Sequence, residues 1–275
     1  MNQVYSIITE QIIAQLEKGV IPWYRAYLGG LPKNGISNKE YNGINIFLLS
    51  VRGYANPYWF TFKQVKDLGG NVKRGEKGTP IIFWKLYSKE TEDSEEPEEH
   101  RVLRYYYVFN FEQTDGLNAE KYTIKAGNFS PIQNAEKIVQ GYHGAPTLQH
   151  KEQRAWYSPV TDIVNMPAPE SFVKPEFYYK TLFHELTHST GHDSRLNRSL
   201  KGNTGYSNTD YSKEELVAEM GASFLSGRAG IFEIPQLEQA SAYIASWLKE
   251  LRNDKSLVIK AASQAQKAAD YITAA

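Results

Sequence analysis

Residues 183–198 read FHELTHSTGHDSRLNR, in which His184 and His188 stand four apart and Glu185 follows the first of them. On a helix, positions four apart share a face, so both imidazoles can reach one ion. Glu185 then points beside that ion, where a carboxylate can take a proton from bound water. The preceding FYYKTLF (177–183) makes the helix largely apolar, as expected of one lodged inside a domain. The chain has no cysteine, which excludes disulfides and thiolate-ligated zinc. Any ion must be held by histidine and carboxylate. The pattern predicts Zn2+, with Mn2+ or another divalent ion as the substitute, and it requires a third protein ligand from elsewhere.

His192 is a poor third ligand. The metzincin pattern places its third histidine six residues past the second, beyond a glycine turn, whereas His192 is four past His188 and directly follows Gly191. A histidine at a helix end suits the negative end of the helix dipole instead. The better source is YSKEELVAEMGASFL (211–225), with Glu215 and Glu219 four apart and a small-residue face of Ala218, Gly221 and Ala222 that lets another helix approach closely. This resembles the Glu-x-x-Ala-Asp arrangement of gluzincin-type metallopeptidases. The resemblance implies Glu215 as the third ligand and Glu219 as a carboxylate orienting a ligand histidine from behind, with the reverse assignment open. Glu214 is a further candidate ligand. Ser212, three residues before Glu215, offers that carboxylate a competing role in a capping box. The expected site is His184, His188 and Glu215 with an open position for water, Glu185 as general base, and Tyr206, Tyr211 or His192 available to stabilise an oxyanion.

These residues need elements to position them. Helices are predicted at about 175–191, 212–227, 236–251 and 255–272, and another opens at Ser130 and Pro131 with Ile132, Ala135, Ile138 and Val139 on one face. YSPVTDIVNMPAP (157–169) reads as a strand ending at prolines, able to pair with an extended substrate along a cleft. At the other end of the chain, Val4, Ile7, Ile8, Ile12 and Leu16 mark an amphipathic helix rather than a secretory leader. One short helix is expected near Phe62 to Leu68. Two strand-like runs follow, TPIIFWKLY (79–87) and RVLRYYYVFNFEQ (101–113), separated by the acidic SKETEDSEEPEEH, which reads as a long solvated hairpin loop. Residues 114–130 read as a linker. The expected class is α+β in two domains: residues 1–125, mixed α+β, and residues 126–275, mainly helical with a small sheet.

The 275-residue chain is 41% hydrophobic and 23% charged, with formal net charge zero. That neutrality hides a local imbalance. Residues 1–125 hold 16 Lys plus Arg and 15 Asp plus Glu, and the loop 88–100 alone holds seven of the acids and one Lys, which leaves 15 basic against 8 acidic residues outside it. A basic body interleaved with Trp59, Phe60, Trp84 and the Tyr105–Tyr107 run is what a binder of single-stranded nucleic acid needs, since cations track phosphates and aromatic faces stack on bases. Core packing accounts for many of the same aromatics.

The words GVIPWYRAY, GLPKNGISNKEYNGINIFLLS, WFTFKQVKDLGGNVKRGEKGTPIIFW and YYYVFNFEQTDGL resemble, in order, the N-terminal domain of ArdC-type antirestriction proteins. FHELTHSTGHDSRLNR through EELVAEMGASFL resembles the zincin-like metallopeptidase domain that accompanies it. The resemblance implies a protein of conjugative plasmids, integrative elements or phages that binds single-stranded DNA and shields incoming DNA from host restriction. VKRGEKG (72–78) looks like a basic turn whose glycines allow backbone approach to phosphate. Lys73, Arg74 and Lys77 are the first candidate DNA contacts, then Gln64 and Trp84, with Asn45 and Asn110 as polar candidates beside Thr61 and Gln113. Each of these polar residues could equally cap a helix or satisfy a turn. The alternative is a zinc endopeptidase that cleaves a host defence protein and uses DNA only for localisation; a peptidase-like fold does not by itself establish peptidase activity. No run approaches the roughly 18 apolar residues of a membrane span, and the expected location is the cytoplasm.

Overall fold

The structure is a computed structural model describing residues 3–22, 31–89, 98–122, 131–172, 174–198, 200, 208–231 and 240–274. Helix α1 (Gln3–Leu16) buries Val4, Ile8, Ile12 and Leu16, the four-residue spacing of its apolar stripe. A second helix, α2 (Ile44–Ser50), occupies INIFLLS, which has no amphipathic period because five of its seven residues are buried. A seven-residue stretch with five apolar residues and no clear period is too short to announce itself as a helix, so only packing reveals it.

Four strands form the first sheet: β1 (Lys33–Asn34), β2 (Tyr58–Thr61), β4 (Thr79–Lys89) and β5 (Glu98–Asn110), in the order β1-β2-β5-β4. β1 runs parallel to β2, and the other pairs are antiparallel. The acidic segment is thus shorter as a loop than its composition suggests. Both of its ends continue the ladder, Ser88 opposite Glu99 and Lys89 opposite Glu98, while residues 90–97 lie outside the described residues. Helix α3 (Phe62–Asp67) springs directly from β2, because Thr61 and Gln64 form a reciprocal capping box. A two-stranded ribbon joins β3 (Asn71–Val72) to β6 (Thr114–Asp115).

The expected linker is built structure as far as residue 122. After β6 it forms α4 (Ala119–Tyr122), and Tyr122 is buried among the rings of Tyr58, Phe60 and Phe111. Helix α5 (Pro131–Gly141) follows. The expected strand at 157–169 is instead two strands, β8 (Trp156–Ser158) and β9 (Ile163–Asn165), reversed by a turn in which Asp162 takes a left-handed φ of 51°. With β7 (Thr147–Gln149) they order as β7-β9-β8, which places β9 in the centre, already paired on both sides. The helices α6 (Pro175–Ser189), α7 (Asn208–Ala229), α8 (Ala240–Asn253) and α9 (Leu257–Thr273) complete the fold.

The two halves of the chain share a core. Val4, Ile8, Ile12, Ile44 and Phe47 belong to the same buried cluster as Leu216, Met220, Phe224, Val258 and Ala262. Phe47 stacks on Phe224 at 4.8 Å between ring centroids and 9° between planes. The Thr9 hydroxyl donates to the Lys255 carbonyl at 2.6 Å, and the Gly43 amide donates to the Gln266 side chain at 3.0 Å. Trp59, Ile81 and Val108 form a smaller cluster under the sheet.

Candidate metal centre

The site lies where α6 crosses α7. Close approach is possible because Gly221 faces Thr187: a Cβ built on Gly221 would fall 2.4 Å from the Thr187 methyl. The small-residue face expected from the sequence therefore brings the two helices together. α6 presents His184 and His188, and α7 presents Glu215. The two imidazole Nε2 atoms are 3.1 Å apart, His184 Nε2 is 3.5 Å from one Glu215 oxygen, and His188 Nε2 is 3.4 Å from the other. Bonds of about 2.0–2.2 Å at tetrahedral angles separate neighbouring donors by about 3.3–3.6 Å, which both His–Glu separations match while the His–His one is slightly shorter, so a small opening of the rings lets the three side chains close on one ion. Among the described residues, these three are the group able to hold a metal.

Each histidine is backed by its own carboxylate. His184 Nδ1 lies 3.5 Å from Glu219, the position expected of Glu219. His188 Nδ1 lies 3.3 Å from Glu214, which sequence reasoning had weighed as a ligand. Glu214 is held in turn by Arg198, whose Nη2 and Nε donate to its two oxygens at 2.7 and 3.1 Å. Arg198 also donates to the Thr190 hydroxyl at 2.6 Å and the Thr187 carbonyl at 2.8 Å, tying the clamp to the end of α6. Nothing in the local spacing pointed to Arg198, ten residues past His188 and beyond the helix.

The capping role weighed for Ser212 is not taken. Ser212 lies within α7, its hydroxyl 2.7 Å from that of Ser246, and the Glu215 carboxylate is left to the histidines. Glu185 is buried at 8% exposure beside them. His192 binds the Ser194 hydroxyl at 2.8 Å in the turn after α6, apart from the triad. Tyr206 lies outside the described residues, and Tyr211 falls in the first turn of α7.

Electrostatics follow from these pairings. Burial works against a charged His188, but hydrogen bonds to Glu214 and Glu215 outweigh it and raise the ring to about 10. His184 is raised in the same way, burial being overcome by Glu215 and then Glu219. Burial alone would raise Glu214 and Glu215; their histidine partners, with Arg198 for Glu214, hold both below the usual carboxylate range. One turn before His184, burial draws the Lys180 ammonium down to about 8 against the pull of Glu219.

The candidate DNA contacts divide into two groups. Asn45 spends its amide on the backbone of Ile82, donating and accepting at 2.8 Å, and so pins α2 to β4. Asn110 is fully buried, donates to the Asn56 carbonyl and caps the turn at 111–113. Gln113 donates to Glu76 and to the Lys77 carbonyl, and Thr61 and Gln64 cap α3. These side chains hold the fold. Lys73, Arg74 and Lys77 sit on an exposed turn closed by the Glu76 amide on the Lys73 carbonyl, with Gly75 at φ 87°; Lys73 reaches the Glu112 carbonyl at 2.8 Å. Trp84 is 52% exposed on β4, and Tyr105 and Tyr107 are exposed on β5.

The chain matches the model of the N-terminal domain of anti-restriction factor ArdC over residues 2–109 and that of the zincin-like metallopeptidase family over residues 133–264. It is 36% identical over 291 residues to a DNA primase TraC of Escherichia coli, covering 97% of this chain. It spans 27% of the length of that relative and 20% of a second TraC. The uncharacterized protein y4eC of Sinorhizobium fredii is 32% identical, with 99% of this chain and 92% of that protein covered. Among solved structures, the antirestriction protein ArdC from plasmid R388 superposes with a TM-score of 0.79 in both its metal-free and its Mn(II)-bound crystal structures. The identities are 35% and 36%, over 98% of this chain and 96% and 97% of those chains.

Proposed function

The chain belongs to the ArdC-type antirestriction family, and from that membership we propose that it binds single-stranded DNA through residues 1–125 and protects incoming plasmid or phage DNA from host restriction. The observation that carries this reading is the exposure of large aromatics on a region that also presents a basic turn. Trp84 and Tyr107 are each 52% exposed and Phe62 is 54% exposed, where rings of this size are normally covered. Rings presented to solvent beside cations are what base stacking with phosphate tracking requires. Fluorescence anisotropy of the full chain with labelled single- and double-stranded oligonucleotides over a salt series tests it. Tighter binding of single strands that weakens as salt rises is expected; salt-independent binding, or none, sinks the reading.

His184, His188 and Glu215 would hold a divalent ion, Zn2+ by donor chemistry, with Mn2+ suggested by the relative crystallised with it. When bound, such an ion lowers the pKa of water and polarises a carbonyl. Glu185, buried beside the two histidines, would serve there as the proton acceptor, while Glu219 and Glu214 would fix the two rings. A second reading, an endopeptidase acting on a host protein, is favoured by the burial of Glu185 beside the histidines. Glu185→Gln separates the two. Under DNA coating the variant keeps both its ion and its antirestriction effect in a transfer assay; under the peptidase reading it keeps the ion and loses the effect.

A further inference from the structure

A cavity of about 330 Å³ opens beside the first sheet, between the turn at residues 34–41, the start of α3 and the middle of β5. Asn34, Lys39, Glu40, Tyr41, Gln64 and Tyr106 line it. Its polar groups are held in place. The Asn34 oxygen accepts from the Ile36 and Ser37 amides at 3.0 and 3.1 Å, and its nitrogen donates to Gln64 at 3.2 Å. The Asn34 amide also faces the hydroxyl of Tyr41. That hydroxyl is buried, and no hydrogen bond of good geometry satisfies it among the described residues. Buried hydroxyls are rarely left so, and a ligand in the cavity would supply what is missing. Tyr106, 38% exposed, is braced edge-on by Phe83 at 5.4 Å between centroids.

We propose that this cavity receives one unstacked base of single-stranded DNA, with guanine preferred; the inference rests on the single-strand-binding reading above and adds a base preference to it. The ligand class follows from the lining. A fixed amide donor, a hydroxyl, a carboxylate and an exposed ring together suit a flat heterocycle with donors and acceptors on its edge. Guanine carries two adjacent N–H donors for the Glu40 carboxylate and one carbonyl for the Asn34 amide, whereas thymine would set a carbonyl against the carboxylate. Lys39 at the rim suits the phosphate attached to the base.

The test uses the full chain and three labelled twelve-residue oligonucleotides: all thymidine, the same with one central dG, and the same with one central abasic site. Anisotropy at fixed salt should rank the dG strand about tenfold tighter than the thymidine strand, as expected for one well-made base contact. Tyr41→Phe, which removes only the hydroxyl, and Tyr106→Ala, at an exposed position, should each erase most of that preference while leaving thymidine-strand affinity within about twofold. Equal binding of the dG and thymidine strands overturns the pocket and leaves single-strand binding standing. Unchanged dG preference in both variants also overturns it, placing the base elsewhere. If no strand binds, the underlying reading falls and the pocket with it.

Discussion

At the scale of single residues, the candidate metal centre has two tiers with separable consequences. Glu215 shares the triangle with both Nε2 atoms, while Glu214 and Glu219 touch only the far nitrogens. Glu215→Ala should therefore abolish stoichiometric metal uptake, read by elemental analysis of the folded protein. Arg198→Ala should retain the site but weaken it about 10- to 100-fold, the usual effect of releasing an orienting carboxylate. A competitive chelator titration gives that number. Unchanged affinity in Arg198→Ala would mean the clamp only ties down the end of α6. Arg198 was invisible in the sequence, because a side chain that folds back over a turn obeys no helical period. Glu214 was visible as chemistry, but it is the neighbouring Glu215 that faces both Nε2 atoms, and only the rotation of α7 distinguishes adjacent positions on one helix.

At the scale of elements, two contacts set where α6 lies. On one side, Gly221 admits Thr187. Gly221→Val would drive branched atoms into that contact, costing about 1–3 kcal/mol from overpacking. It should also separate Glu215 from the histidines, so a lower melting temperature together with weakened metal uptake is expected; normal uptake would show that the helices adjust without disturbing the triangle. On the other side, the turn after α6 is anchored to the small sheet by Arg195. Its guanidinium donates to the Ser189 carbonyl at 2.7 Å, to the Gly144 carbonyl at 2.9 Å and to Asp162 at 3.0 Å, and the Tyr157 hydroxyl donates to the same carboxylate at 2.9 Å. Burial alone would raise Asp162, but Arg195 and Tyr157 prevail and lower it from 3.8. A depressed carboxylate contributes stability that is present above its unfolded value and lost as pH falls through its folded one. Asp162→Asn should thus cost about 1–3 kcal/mol near neutrality. The gap from the parent protein should narrow as pH drops below about 4, measured by urea melts across pH. A gap that stays constant with pH would remove the charge from the explanation.

At the scale of the whole molecule, the regions matching two different family models are not two beads. Residues on α1 and α2 lie in one buried cluster with residues on α7 and α9, and the Phe47–Phe224 stack sits within it. Phe47→Ala should cost about 3–5 kcal/mol, the usual range for a buried ring. Because Phe224 lies on the helix that carries Glu215, thermal unfolding of the full chain should be one transition, coincident whether followed by far-UV circular dichroism or by the buried Trp59 and Trp247. Two separated transitions would show that the shared core does not couple the halves. Among the described residues, no helix is long and apolar enough to cross a membrane.

The sequence by itself determined what depends on short-range periodicity. The histidine pair on one face of α6, the small-residue face of α7 and the long C-terminal helices were all legible, because a helix places residues three and four apart on one face wherever it forms. Tertiary structure decided what depends on which neighbour arrives. Asn45, Asn110 and Gln113 carried the same chemistry in the sequence whether aimed at DNA or at backbone, and packing gave each a backbone partner. The seven residues of α2 had no polar face to reveal their period, and the strand expected at 157–169 split at a turn fixed by one left-handed aspartate. The physical reason is common to all of these. A polar group buried by folding must find a partner, and its identity depends on contacts between residues far apart in the chain, which no local spacing encodes.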